Sequence, residues 1–156
     1  MQNNFSFSNH ISSVIQTAAQ SMYAIKLLKS RGLNDECVQN VFYALVISRL
    51  IYASPAWWGF TSQSDRQALQ AVIRRAIRWG FGGPADRNIE QICNANDDKL
   101  FKTVLTNSAH ILHQFLPPEK THSYDMRARA HNRQLPQKNN LTAKSFINRL
   151  LYKSIS

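Results

Sequence analysis

Ile11-Ser12-Ser13-Val14-Ile15-Gln16-Thr17-Ala18-Ala19-Gln20-Ser21-Met22-Tyr23-Ala24-Ile25-Lys26-Leu27-Leu28 is the stretch that decides the fold class. Ile11, Val14, Ile15, Ala18, Met22, Ile25 and Leu28 follow steps of three and four, which draws one stripe down an α-helix. Ser8 is suited to cap its start and Gly32 to stop it, with Lys26, Lys29 and Arg31 at the end where the helix dipole favours cations. Asn34 then caps a second helix with Asp35 and Glu36 in its first turn, burying Val38, Val41, Phe42, Leu45, Val46 and Ile51. Between Tyr43 and Tyr52, β-branched and aromatic residues also suit a strand. Ser54-Pro55 ends that element.

The helical period continues further along. A third helix is expected from near Ser64-Asp65, with Leu69, Val72, Ile73, Ala76 and Ile77 inside, and Gly80, Gly82, Gly83 and Pro84 mark a loop after it. A short helix follows Asp86 through Ile89 and Ile92. A longer one follows Asn96-Asp97-Asp98, with Leu100, Phe101, Val104, Leu105, Ile111, Leu112 and Phe115 inside. Thr142 is placed to cap a last helix carrying Phe146, Ile147, Leu150 and Leu151. The expected architecture is all-α: a helical bundle of about five or six helices with a basic, partly extended C-terminal tail.

With 156 residues, 44% of them hydrophobic, the chain can bury one core of ordinary size. Pro117-Pro118 divides an expected helical body, 1–118, from a basic tail, 119–156, that ends in a short helix. Nineteen Lys and Arg stand against nine Asp and Glu, a net charge of +10. From Lys120 onward there are eight basic residues and one acid, Asp125. Such a surplus points to a polyanionic partner, nucleic acid or an anionic membrane face. No stretch approaches the roughly 18 consecutive apolar residues of a spanning helix, so membrane insertion is not expected. Met1-Gln2-Asn3-Asn4-Phe5 has neither the basic start nor the apolar run of a secretory signal. Cys37 and Cys93 match no metal or redox spacing, which favours reduced, buried thiols in an intracellular protein, nuclear or cytoplasmic.

Few residue patterns suggest chemistry. Asp97-Asp98 is the adjacent acidic pair that tempts a metal reading, but it precedes an apolar helical period, where carboxylates cap free N–H groups. His110 and His113 lie three apart without further ligands at a zinc spacing. Gly80-Phe81-Gly82-Gly83-Pro84 matches no phosphate-binding loop. No catalytic residue, metal, cofactor or small-molecule substrate is therefore expected. Arg74, Arg75 and Arg78 share a predicted helix, Arg74 and Arg78 one turn apart, and are followed by Trp79 and Phe81. Arginine forks pair with phosphate oxygens, and aromatic rings stack on unpaired bases. A solvated helix face with Trp79 in the core is the alternative. Trp57-Trp58 is either core or a stacking surface. In Tyr124 to Arg133, an extended backbone would put Arg127, Arg129 and His131 on one side, suited to following a phosphate backbone; a solvated loop has similar composition.

Leu50-Ile51-Tyr52-Ala53-Ser54-Pro55-Ala56-Trp57-Trp58-Gly59-Phe60 resembles the L-x-Y-x-x-x-x-W segment beyond the palm in reverse transcriptases of non-LTR retrotransposons, the jockey-like and related LINE elements. Arg74 to Phe81, Asp97 to Phe101 and His110 to Pro118 follow in the order that family has, and Tyr124 to Tyr152 is similar to its terminal portion. The resemblance implies a noncatalytic region of an RNA-directed DNA polymerase, the thumb-like and C-terminal helical part, with the metal-binding palm upstream of residue 1. It implies a hold on RNA or an RNA–DNA duplex, with the missing palm as packing partner. Arg74, Arg75, Arg78, Arg127, Arg129 and Arg133 would contact phosphates, and Trp57, Trp58 or Trp79 would stack. An orphan helical module that binds protein or is purely structural is the other reading, and attachment to a membrane through the last helix a third.

Overall fold

The computed structural model describes residues 7–82, 88–120, 131–137 and 139–154. Its architecture is all-α, as the periodicity predicts. Seven α-helical segments occur among the described residues: α1 (Ser8–Ser30), α2 (Asp35–Phe42), α3 (Ser48–Ile51), α4 (Ser54–Trp57), α5 (Gln63–Arg78), α6 (Ile89–Thr106) and α7 (Phe146–Lys153). The chain divides into two compact units, 1–94 and 95–156, so both sides of Pro117-Pro118 fall in the second. The boundary between the units lies inside α6.

In the first unit, Ile11, Ala18, Met22 and Ile25 of α1 pack with Val38, Phe42, Val46, Ile47 and Leu50 and with Leu69, Val72, Ile73 and Ala76 of α5. Ser8 does not cap α1, whose N-cap position is Phe7; its hydroxyl donates to Asp65 Oδ2 at 3.2 Å instead. Gly32 does end α1. At φ +95° it takes the left-handed conformation that costs glycine least, so its N–H reaches Lys29 O and that of Leu33 reaches Leu28 O. Leu28 leaves the expected stripe and is exposed. Asn34 caps α2 by accepting from Cys37 N at 2.8 Å. That first turn leaves Cys37 exposed, contrary to the expectation of two buried thiols; Cys93 is buried.

The ambiguous stretch after α2 is helical, but Tyr43–Ile47 forms a π turn before α3 resumes the α ladder. Ala53, in the left-handed region at φ 50°, breaks the run, and α4 restarts with Pro55 in its first turn, where a missing N–H costs nothing. By length and composition alone the run Asp35–Phe60 is apolar enough to cross a membrane, a property that a count of consecutive apolar residues overlooks. Its Val38, Phe42, Val46, Ile47, Leu50, Trp57 and Trp58 are committed to the first unit's core.

α6 corrects two expectations. The predicted break at Asn96-Asp97-Asp98 is absent, because Ile89, Cys93, Asp97, Phe101 and Val104 keep one helical period. Asp97 is thus no cap. It is fully buried and receives Arg149 Nη1 of α7 at 2.6 Å, while Lys153 Nζ reaches Asp98 at 2.8 Å. The helix stops at Thr106, well short of Phe115, where Asn107 Oδ1 takes the N–H of Ala109 and turns the chain. Ile111 and Phe115, expected inside, are exposed.

The second unit's core is Phe101, Leu150 and Leu151, flanked by Leu105, Leu116, Leu135, Phe146 and Ile147. Ser145 stands at the N-cap position of α7 in place of Thr142, which begins a short 3-10 turn held by Asn139. In the described part of the tail, residues 131–137 carry one antiparallel bridge, Glu119 to Arg133.

Candidate nucleic-acid interface

α5 starts at a reciprocal cap. Ser62 Oγ accepts from Asp65 N, and Asp65 Oδ2 accepts from Ser62 N, both at 3.1 Å. Hydrogen bonds from the Ser62 side chain first, then from the Ser62 backbone and Ser8, outweigh desolvation and hold the Asp65 carboxyl below its ordinary value. Ser8 ties the start of α1 to the start of α5, and Lys29 Nζ donates to Gly80 O at 3.4 Å where both helices end. The two helices therefore run side by side in the same direction. α5 ends as α1 does: Gly80, at φ +72°, lets its own N–H reach Ile77 O and that of Phe81 reach Ala76 O.

Leu69, Val72, Ile73 and Ala76 occupy the buried side of α5, which turns Arg74, Arg75 and Arg78 to solvent. None of the three has an ion pair or hydrogen bond among the described residues. Arg74 and Arg78 lie on one face, as the spacing predicts, with Arg75 a hundred or so degrees round the axis. Trp79 is half-buried. Lys26 Nζ lies 5.1 Å from its ring centroid, and Phe81 meets it edge-on.

The other expected contacts fall elsewhere. Trp57 and Trp58 are 3% and 2% exposed, so neither offers a face on which a base can stack. Trp57 Nε1 donates to Tyr52 O at 3.0 Å, and the Arg66 guanidinium covers Trp58 at 4.6 Å. The reason is packing: the end of α4 and the 3-10 turn that follows it set both indoles in the first unit's core. Arg133 is turned inward, its guanidinium 3.3 Å from Glu119 and donating to Pro117 O at 3.1 Å. His131 is buried, accepting from Arg133 N at Nδ1 and donating from Nε2 to Leu151 O. Arg127 and Arg129 lie outside the described residues. His113 Nδ1 donates to Val104 O, and His110 Nδ1 accepts from Leu112 N. No three metal-ligating side chains are grouped among the described residues.

Beside Arg74 a groove of about 350 Å³ separates α5 from the start of α6. Gln63, Arg66, Gln67 and Arg74 line one side, Asn88 and Glu90 the other. Gln70 Oε1 accepts from Ile89 N at 3.0 Å and ties the two walls together. Arg66 is held by Thr61 Oγ1 at 2.9 Å, by Glu90 at 3.6 Å and by the face of Trp58. These amides carry no charge and belong to no motif, so composition does not mark them. Gln63, Gln67, Gln70 and Arg74 recur at steps of four and three, so a search for long polar side chains at helical spacing would have found them. No family model, curated protein or solved structure matches the chain.

Proposed function

We propose that the chain is a noncatalytic, thumb-like region of a non-LTR retrotransposon RNA-directed DNA polymerase, and that it holds RNA or an RNA–DNA duplex on the basic face of α5. The observation that carries this reading is the set Arg74, Arg75 and Arg78, exposed and without carboxylate partners among the described residues. Unpaired guanidinium forks are open to donate bidentate hydrogen bonds to phosphate oxygens. The net charge of +10 agrees with a polyanionic partner, and the ordered resemblance of the segments points to the family. Counterion release would supply most of the affinity, giving weak sequence preference and a steep salt dependence.

Binding of the purified chain to labelled RNA and to an RNA–DNA duplex across a salt series tests the reading. Replacing Arg74 and Arg78 together by Ala should shallow the salt slope by roughly one to two units. An unchanged slope removes α5 from the interface.

A second reading, a helical protein-interaction module, is favoured by exposed Tyr23, Leu27, Leu28, Tyr43, Leu45 and Tyr52 in the first unit. It requires fluorescence of an apolar dye on the folded protein and a mass that rises with concentration. A dye-silent monomer removes it.

A further inference from the structure

We propose that the groove between α5 and the start of α6 receives one unpaired nucleotide of a single strand, its phosphate on Arg74 and its base edge on Gln67. The proposal rests on the reading of the α5 face as a nucleic-acid interface and narrows what that face takes.

Charge comes first. Arg66 is spent on Thr61, Glu90 and Trp58, and Glu90 is paired with it, which leaves Arg74 as the uncompensated cation among the described residues lining the groove. One free guanidinium at the mouth fits one phosphate. Hydrogen-bonding capacity comes second. Gln63 and Gln67 have no partner for their side-chain amides among the described residues and lie on the same face as Arg74, about three and two turns before it. A carboxamide presents two donors and an acceptor, which is the pattern a base edge answers. Size decides between strand states. About 350 Å³ is near the lower end of ligand sites and suits one nucleotide. A paired base would have to leave its stack and its partner to enter, whereas an unpaired base enters without that cost. Arg78, about 6 Å further along the helix axis, is placed for the next phosphate.

The test compares a labelled mixed-sequence single strand, the same strand carrying abasic sugars, and a blunt duplex, each titrated onto the full chain and onto Gln67→Ala. Gln67 is exposed, and circular dichroism checks that the variant keeps its helicity. The single strand should bind more tightly than the duplex. Abasic sugars and Gln67→Ala should each weaken single-strand binding about ten-fold, with the salt slope and the duplex affinity unmoved, because Gln67 carries no charge. Equal affinity for strand and duplex, or a Gln67→Ala variant that binds the strand as before, overturns the groove proposal and leaves the basic face standing. Absence of binding to both overturns the groove and the reading beneath it.

Discussion

Asp97 and Arg149 form an ion pair at 2.6 Å with the carboxylate fully buried, and Asp97 Oδ1, Arg149 Nε and Arg149 Nη2 are buried with no hydrogen-bond partner among the described residues. Desolvation pushes the Asp97 carboxyl above its ordinary value; the Arg149 hydrogen bond and charge oppose that push without cancelling it. The folded chain therefore binds this proton more readily than the unfolded chain. Ionising Asp97 costs stability as pH rises from the ordinary carboxylate value through the raised one, and acidification recovers it. Arg149→Met strands the carboxylate and should cost about 3–5 kcal/mol at neutral pH in urea unfolding. The loss should shrink at mildly acidic pH, where Asp97 is protonated. Replacing both residues by apolar ones of similar volume should be neutral or stabilising by about 1–4 kcal/mol. A double variant as unstable as Arg149→Met would show that the pair stabilises the fold. The sequence presents Asn96-Asp97-Asp98 as a cap because the partner of Asp97 is not local. Arg149 lies on another helix, and local spacing carries no trace of the pairing.

Among the elements, α5 was the most legible and the run from α2 to α4 the least. α5 carries its own instructions: Ser62 and Asp65 close a capping box, the apolar period is clean, and Gly80 stops it. Ser62→Ala should lower stability by about 1 kcal/mol, read as a lowered thermal midpoint. Asp65 works with the opposite sign to Asp97. Its lowered pKa contributes stability that is complete above the ordinary carboxylate value and is lost as pH falls through the lowered one. The gap between wild type and Ser62→Ala should therefore narrow in acid, and a gap that holds constant would assign the loss to the helix terminus alone. Between Tyr43 and Trp57 the π turn and the left-handed Ala53 follow no local composition rule. Tertiary packing of Val46, Ile47, Leu50, Trp57 and Trp58 sets them, so the local sequence carries the helical class of this stretch and not its geometry. The candidate site divides in the same way. Exposed Arg74, Arg75 and Arg78 follow from spacing on one helix, whereas the burial of Trp57 and Trp58 follows from contacts with α1 and α5.

At the scale of the whole chain, the two compact units differ in how much core each has. Residues 1–94 enclose an extended cluster, whereas 95–156 rely on Phe101, Leu150 and Leu151 with a half-buried ring of apolar neighbours. Small units bury a smaller share of their surface, so each core side chain matters more. Polar contacts supplement this core: Tyr152 Oη donates to Pro136 O at 2.6 Å, His131 Nε2 to Leu151 O at 3.0 Å, and Lys153 pairs with Asp98. Exposed pairs such as the last contribute little, so the apolar core, with Leu151 fully buried in it, carries most of what these contacts leave to be supplied. Leu151→Ala removes a fully buried side chain and should cost about 2–5 kcal/mol. Hydrogen exchange locates that loss. Amide protection should collapse across residues 95–156, while the amides of α1 and α5 retain theirs, because among the described residues the cluster they pack in is drawn from residues 7–93. Equal loss of protection in both units would mean that they unfold as one cooperative body, and the division at Asn94 would then have no energetic counterpart.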